Sequence, residues 1–101
     1  VTGRPLIGIG GRDITEQISR MYNLPIGVYV VEVAPFSGAE RAGIKPGDVI
    51  TKFNGQKVTS VDELNKLKDQ CKAGDVVQLE IDRNGQKLTV NVTLTEEKPA
   101  D

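Results

Sequence analysis

Few side chains in this sequence have the types and spacing needed for catalysis. The 101 residues include no histidine and one cysteine, Cys71. Ser-His-Asp and Cys-His nucleophile pairs need an imidazole base, and ordinary zinc sites need cysteine or histidine ligands, so neither can be built within this chain. The acidic residues lie mostly at expected helix starts and hairpin ends, where structural roles explain them. We therefore expect a chain that catalyses nothing and that needs no metal or cofactor.

A glycine-rich stretch near the start, RPLIGIGG, is the strongest candidate for a binding site. It does not match a dinucleotide fingerprint, because Asp13 stands where G-x-G-x-x-G requires the third glycine, and the Gly-Lys-Ser/Thr ending of a P-loop is missing. An acidic residue at the next helix start would also repel a phosphate. Two interpretations stay open. The stretch is a glycine-tolerant edge strand, or its backbone N–H groups converge on a chain-terminal carboxylate above an apolar pocket.

The charge balance narrows the possible partners. Lys and Arg number 13 against 14 Asp and Glu, which gives a net charge of −1, and no basic face accumulates along the chain. Nucleic acid is therefore not an expected partner. No apolar run approaches the roughly 20 residues that a membrane-spanning helix needs, so we expect no direct membrane insertion of this segment. The start at Val1 and the polar ending TEEKPAD indicate a piece of a longer protein, with one domain over residues 1–95 and a tail over 96–101.

Turn signals and alternating patterns predict the strands that must position any such site. Asn54-Gly55 and Asn84-Gly85 are Asn-Gly pairs of the kind that close two-residue hairpins. The segments GVYVVEV and DVITKF are rich in β-formers, whereas VVQLEIDR and KLTVNVTL alternate apolar and polar residues. These patterns predict half-buried strands of an antiparallel sheet.

Three capping signatures predict three helices. Asp13 with Glu16, Ser37 with Glu40, and Ser60 with Glu63 each place a capping side chain three residues before an acid. The first helix is expected over residues 13–21, with Ile14, Ile18 and Met21 on one face. The second is a short turn that ends at Gly43. The third runs from Ser60 to about Lys72.

The same segments resemble a known family. RPLIGIGGRDI, GVYVVEVAPFSGAERAGIKPGDVITKFNGQKV, SVDELNKL and GDVVQLEIDRNGQKLTVNVTL together resemble a PDZ domain of the bacterial HtrA/Deg-type trypsin-like serine proteases, and residues 37–55 are the most specific part. The resemblance implies an α+β fold: a small antiparallel β-sandwich or partly open barrel capped by two or three short helices. It also implies a circularly permuted strand order, in which the chain starts with the binding strand and ends with KLTVNVTL.

The resemblance also implies where a peptide would bind. The tetrad Leu6-Ile7-Gly8-Ile9 matches the loop that holds a peptide's terminal carboxylate, with Leu6 at a position where glycine is usual. The N–H groups of Ile7, Gly8 and Ile9 would face the carboxylate, and Arg4 would add favourable charge. Residues 9–11 would be the edge to which the peptide adds as a strand. The implied peptide-binding residues are Arg4, Leu6, Ile7, Gly8, Ile9, Gly10, Gly11, Val61, Leu64, Asn65 and Lys68.

Lys68 departs from the family pattern, because an apolar residue often occupies its position on the helical wall. Its aliphatic stem can line the pocket while its amine reaches solvent, an acidic peptide residue or the carboxylate. The alternative interpretation is a solvated lysine on the helix surface. The first interpretation predicts that substitution of Lys68 alters peptide binding, and the second predicts that it does not.

The function implied by the resemblance is binding of C-terminal or misfolded-protein peptides, in a module that regulates or feeds a protease domain N-terminal to Val1. The parent would then be an extracytoplasmic serine endopeptidase of protein quality control, in the periplasm or at the outer face of the cytoplasmic membrane. Two alternatives stay open. One is a PDZ module of a site-2 metalloprotease, a Lon-like protease or a carboxy-terminal processing peptidase. The other is an assembly module without a free groove.

Overall fold

The computed structural model describes residues 5–96, so Arg4 and the end of the tail lie outside the described residues. Three short helices are interspersed among eight strands in this part of the chain, and the longest strands lie in its second half. The elements are β1 (Pro5–Leu6), β2 (Ile9–Asp13), α1 (Glu16–Tyr22), β3 (Val28–Val33), α2 (Gly38–Ala42), β4 (Val49–Phe53), β5 (Gln56–Lys57), α3 (Val61–Asp69), β6 (Val76–Arg83), β7 (Gln86–Thr93) and β8 (Thr95–Glu96).

The main sheet is antiparallel and open, with the strand order β2-β3-β4-β6-β7 and β5 paired to β4. This confirms the predicted α+β class with an open rather than a closed sheet. Strand β2 lies at one edge and β7 at the other, so the first and last long strands of the chain do not pair. A separate two-stranded sheet joins the two ends of the described chain, since Pro5 and Leu6 of β1 pair with β8. This small sheet was not predicted from the sequence.

Both Asn-Gly hairpins are confirmed. Asn54 and Gly55 have φ values of 49° and 84°, and Asn84 and Gly85 have φ values of 54° and 84°. Two consecutive residues with positive φ give the turn whose twist matches that of the flanking strands, and asparagine and glycine tolerate this conformation best. The turns fix the registers of β4 with β5 and of β6 with β7.

The alternation in β6 and β7 places one face of each strand in the core. Val77, Leu79 and Ile81 of β6 are buried, as is Val92 of β7. The intervening polar residues face away. Burial of aliphatic side chains on one face of the sheet contributes most of the core, which also includes Leu64 of α3.

Helices α2 and α3 begin as predicted. The Ser37 hydroxyl accepts a hydrogen bond from the Glu40 N–H at 3.2 Å, and the Ser60 hydroxyl accepts one from the Glu63 N–H at 3.2 Å. Gly43 ends α2 with a φ of 91°. The predicted end of α3 was three residues too late, because Lys72 lies in the following turn, where its N–H donates to the Asp75 carboxylate at 2.9 Å.

The predicted start of α1 was wrong. Thr15, not Asp13, caps the helix and accepts from the Ile18 N–H at 3.2 Å. Asp13 is the last residue of β2, and its carboxylate accepts a hydrogen bond from the Val61 N–H at 2.7 Å. Of the residues expected to share one face of this helix, Ile14 is buried but Met21 is 65% exposed. A contact 48 residues away in sequence therefore competes with the local capping signal.

A buried ion pair ties α2 to β6. The Asp48 carboxylate accepts from Nε and Nη2 of Arg83 at 2.9 and 2.8 Å, and from the Lys45 N–H at 2.9 Å. Arg83 Nη2 also donates to the carbonyl of Gly43, just past the end of α2, at 2.8 Å. The pair fixes the turn between α2 and β4.

Candidate functional site

A groove of about 480 Å³ runs between the edge strand β2 and helix α3. Every predicted site residue except Arg4, which lies outside the described residues, lines it. These lining residues are Leu6, Ile7, Gly8, Ile9, Gly10, Gly11, Val61, Leu64, Asn65 and Lys68. The structure thus brings the glycine-rich loop and one face of α3 together, although about 50 residues separate them in sequence.

The loop between β1 and β2 is held in place by its carbonyl groups. The Ile7 carbonyl accepts from the Ala39 N–H at 3.0 Å, and the Gly8 carbonyl accepts from the Ala34 N–H at 2.7 Å. Between described residues, no hydrogen bond uses the N–H of Ile7 or Gly8. The loop therefore has backbone donors to offer a ligand at the end of the groove.

Gly8 occupies a position that only glycine can fill without a change in the loop. Its φ is +94°, and a Cβ atom there would overlap the Cβ of Ser37. Ser37 is itself fixed, because its hydroxyl donates to the Ala34 carbonyl at 2.8 Å while it caps α2. The start of α2 thus supports the loop from behind.

Strand β2 leaves one of its edges free toward the groove. Within residues 5–96 it pairs only with β3, and the register shifts between Gly10 and Gly11. A Cβ atom on Gly11 would lie 2.7 Å from Val28 Cγ1 and 3.7 Å from Val61 Cγ2. The absence of a side chain at Gly11 therefore keeps the strip beside α3 open for a second backbone.

Helix α3 forms the opposite wall and is attached to β2 by the hydrogen bond from Val61 to Asp13. Leu64 is buried at the base of the groove. The Lys68 side chain is only 14% exposed, with Nζ 3.4 Å from Asn65 Oδ1 and 3.8 Å from Asp69 Oδ1. A freely solvated lysine does not fit this degree of burial. Because Val61 contacts the far end of β2, Lys68 lies toward the glycine-rich loop.

The sheet side of the groove was not predicted. It is lined by Val28, Glu32, Val33, Ala34 and Pro35. The one signal for it in the sequence is Glu32, an acid that interrupts the aliphatic run of β3. Glu32 and Lys68 are the two ionisable side chains among the described residues that line the groove, and they carry opposite charges.

Potential metal ligands, membrane-spanning helices and a reactive thiol are three further features that could indicate a function. No cluster of three or more potential metal ligands occurs in the part of the chain that the structure describes. No helix within residues 5–96 is long and apolar enough to cross a membrane. Burial, with a smaller effect from the nearby Asp75 carboxylate, raises the pKa of the Cys71 thiol. Its thiolate is correspondingly disfavoured, and Cys71 does not line the groove.

Comparison with known proteins agrees with this architecture. Residues 5–94 match the PDZ domain family. The chain is 41% identical over 93 residues to the periplasmic pH-dependent serine endoprotease DegQ of Escherichia coli. The alignment covers 90% of this chain and 20% of that protein. It is 36% identical over 106 residues to the serine protease Do-like HtrA of Bacillus subtilis, with coverage of 94% and 23%. The chain thus spans about a fifth of the length of these curated relatives.

A solved structure covers the same extent. The HtrA3 PDZ domain bound to a phage-derived ligand superposes with a TM-score of 0.77 at 32% identity, over 90% of this chain and 85% of that one. The fold, the matched length and the sequence identity all lead to one assignment. The chain belongs to the PDZ domain family, in the form found in HtrA-type proteases.

Proposed function

We propose that the groove binds the C-terminal end of a peptide by strand addition to β2, with the terminal carboxylate at the N–H groups of Ile7, Gly8 and Ile9. The observation that carries this proposal is the free edge of β2, which leads to a loop whose Ile7 and Gly8 donors bond no described residue. Backbone hydrogen bonds would supply affinity, and the pocket would select the last side chain. Arg4 would add favourable charge at this end.

The lining of the groove suits an apolar last residue. Ile7, Ile9 and Leu64 are among its lining residues, and all belong to or pack against the hydrophobic core. The ligand of the HtrA3 PDZ domain has the sequence FGRWV and ends on valine. A peptide that ends in Val, Leu or Phe is therefore the expected ligand class here.

The module would serve a longer protein. The curated relatives are named as serine endoproteases, several of them periplasmic, and the chain matches only about a fifth of their length. We infer that it delivers C-terminal or misfolded-protein peptides to, or regulates, a serine protease domain of the same polypeptide. An extracytoplasmic location and a role in protein quality control follow from the same inference.

The free carboxylate should dominate peptide binding. A peptide ending in Val should bind with a micromolar dissociation constant, about −7 to −8 kcal/mol. C-terminal amidation should weaken binding by about 1–3 kcal/mol, because buried N–H donors lose a charged partner. Titration of the ¹⁵N-labelled domain, followed by NMR, measures both affinities and locates the site.

Equal affinity for the acid and the amide would contradict the carboxylate role of the loop. Chemical-shift changes that cluster away from residues 6–11 and 61–68 would move the site elsewhere. Absence of binding to any such peptide would favour an assembly module.

A negative charge at position 68 should weaken peptide binding. Because its side chain lines the groove near the loop, Lys68→Glu would place a negative charge near the bound carboxylate and should weaken binding in a salt-dependent way. Lys68→Met keeps an apolar stem without the amine, and should change affinity little or alter the preferred last residue. Fluorescence anisotropy at low and high salt measures these effects.

Lys66→Glu is the matched control, since Lys66 is exposed on the same helix and does not line the groove. It makes the same charge change and should leave the affinity near that of the wild type. If Lys68→Glu binds as Lys66→Glu does while both remain folded, Lys68 has no role in the site.

A further inference from the structure

The side chain of Glu32 lies over Gly10, a residue of the binding edge that has no side chain of its own. Gly10 of β2 and Glu32 of β3 are direct cross-strand partners. A Cβ atom on Gly10 would lie 2.8 Å from Glu32 Cγ and 3.0 Å from Oε1. The side chain of Glu32 therefore occupies the space that a side chain at position 10 would fill, and Glu32 also lines the groove.

The two faces of β2 have different surroundings. Ile9 packs against the core, and the Cβ direction of Gly11 points to Val28 and Val61, so both positions face the side of α3. The Cβ direction of Gly10 points instead to Glu32. Faces alternate along a strand, so a peptide added to this edge also presents successive side chains to opposite faces.

This alternation determines which peptide residue meets Glu32. If the last side chain enters the apolar pocket on the α3 side, the penultimate side chain must lie on the opposite face, beside Gly10. There is no side chain at Gly10 to shield it from Glu32. The ion pairs within residues 5–96 are Lys52–Glu80, Lys68–Asp69 and Arg83–Asp48, and none of them uses this carboxylate.

We propose that Glu32 is a specificity-determining residue that selects a cationic penultimate residue, Lys or Arg, in the bound peptide. This inference rests on the proposed binding of peptide C-termini in the same groove. The selected ligand would be an extended peptide with a basic penultimate residue, an apolar last residue and a free carboxylate. The peptide strand and β3 would lie two strand spacings apart, about 10 Å. A long Lys or Arg side chain can meet Glu32 across that span, because the Glu32 side chain itself extends over Gly10 of the intervening strand.

The test compares three peptides that end in Val and differ only in the penultimate residue, which is Lys, Gln or Glu. At low ionic strength the wild type should bind the Lys peptide about twofold to twentyfold more tightly than the Glu peptide, as expected for partly exposed charge pairs. Glu32→Lys should reverse that order. Glu32→Gln should bind the three peptides with nearly equal affinity.

Gln86→Lys is the matched control for Glu32→Gln, because it makes the same one-unit change in net charge at the start of β7, on the far edge of the sheet. It should keep the wild-type order. Circular dichroism checks that each variant is folded.

The outcomes separate this inference from the proposed function. If the peptides bind and require their carboxylate, but the penultimate charge has no effect or Glu32→Lys keeps the wild-type order, Glu32 is not a specificity residue. If no peptide binds in a carboxylate-dependent way, the proposed function fails, and the inference fails with it. Reversal of preference by Glu32→Lys alone supports the assignment.

Discussion

Asp48→Ala should lower the free energy of unfolding by about 3 kcal/mol, toward the lower end of the range for breaking a buried ion pair. The Asp48 side chain is 2% exposed and accepts three hydrogen bonds, two from Arg83 and one from the Lys45 N–H. Alanine leaves the guanidinium and the amide without their partner. The Arg83 side chain is 32% exposed, so water can partly replace the carboxylate. Urea denaturation measures the loss.

The opposite truncation should cost at least as much. Arg83→Ala leaves the Asp48 carboxylate buried without its cation. A buried unpaired charge costs more free energy than a partly exposed guanidinium that has lost its partner. Lys52→Ala is the control, because its pair with Glu80 at 3.6 Å is largely exposed and should contribute less than about 1 kcal/mol. If all three variants unfold at the same denaturant concentration, the buried pair does not stabilise the fold as proposed.

The same pair makes stability depend on pH in the acidic range. Burial raises the pKa of Asp48, but the hydrogen bonds and charges of Arg83 and Lys45 lower it by more, so its pKa lies below the ordinary value. A lowered folded-state pKa contributes stability above the unfolded value of about 3.9, and this is lost as the pH falls through the folded pKa. The stability difference between wild type and Asp48→Ala should therefore shrink below about pH 4.

Features coded by adjacent residues could be predicted from the sequence. The Asn54-Gly55 and Asn84-Gly85 turns and the caps at Ser37 and Ser60 depend on local backbone conformation and on hydrogen bonds within three residues. The start of α1 could not be located this way. Asp13 and Thr15 can both cap a helix. The Asp13 carboxylate instead accepts a hydrogen bond from the Val61 N–H of distant α3, and Thr15 caps α1.

Long-range contacts explain what was missed at the site. The resemblance located the glycine-rich loop and the α3 wall, but not the sheet-side wall that includes Glu32. That wall depends on the register shift in the pairing of β2 with β3, which determines the side chain that lies over Gly10. The partnership of Asp48 with Arg83, 35 residues apart, also depends on the completed sheet. No local pattern encodes either contact.

Gly8→Ala should weaken the binding of a peptide that ends in Val by tenfold or more. At a φ of +94° a Cβ atom is unfavourable by about 1–2 kcal/mol, and here it would also overlap Ser37 Cβ. Ser37 cannot move freely, since it caps α2 and donates to the Ala34 carbonyl. The loop must move instead, which displaces the N–H groups of Ile7 and Gly8. Calorimetric titration and urea denaturation measure both effects.

Gly74→Ala is the control that separates the overlap with Ser37 from the free-energy cost of a Cβ atom at positive φ. Gly74 has the same φ of +94°, but a Cβ atom there would have nothing within 4 Å, and Gly74 does not line the groove. It should lose about 1–2 kcal/mol of stability and bind peptide as the wild type does. Gly8→Ala should lose more stability than this, because the overlap with Ser37 adds to the same φ penalty. If Gly8→Ala instead matches Gly74→Ala in stability and keeps wild-type affinity, the loop does not hold the carboxylate, and the binding edge of β2 must accept its ligand without it.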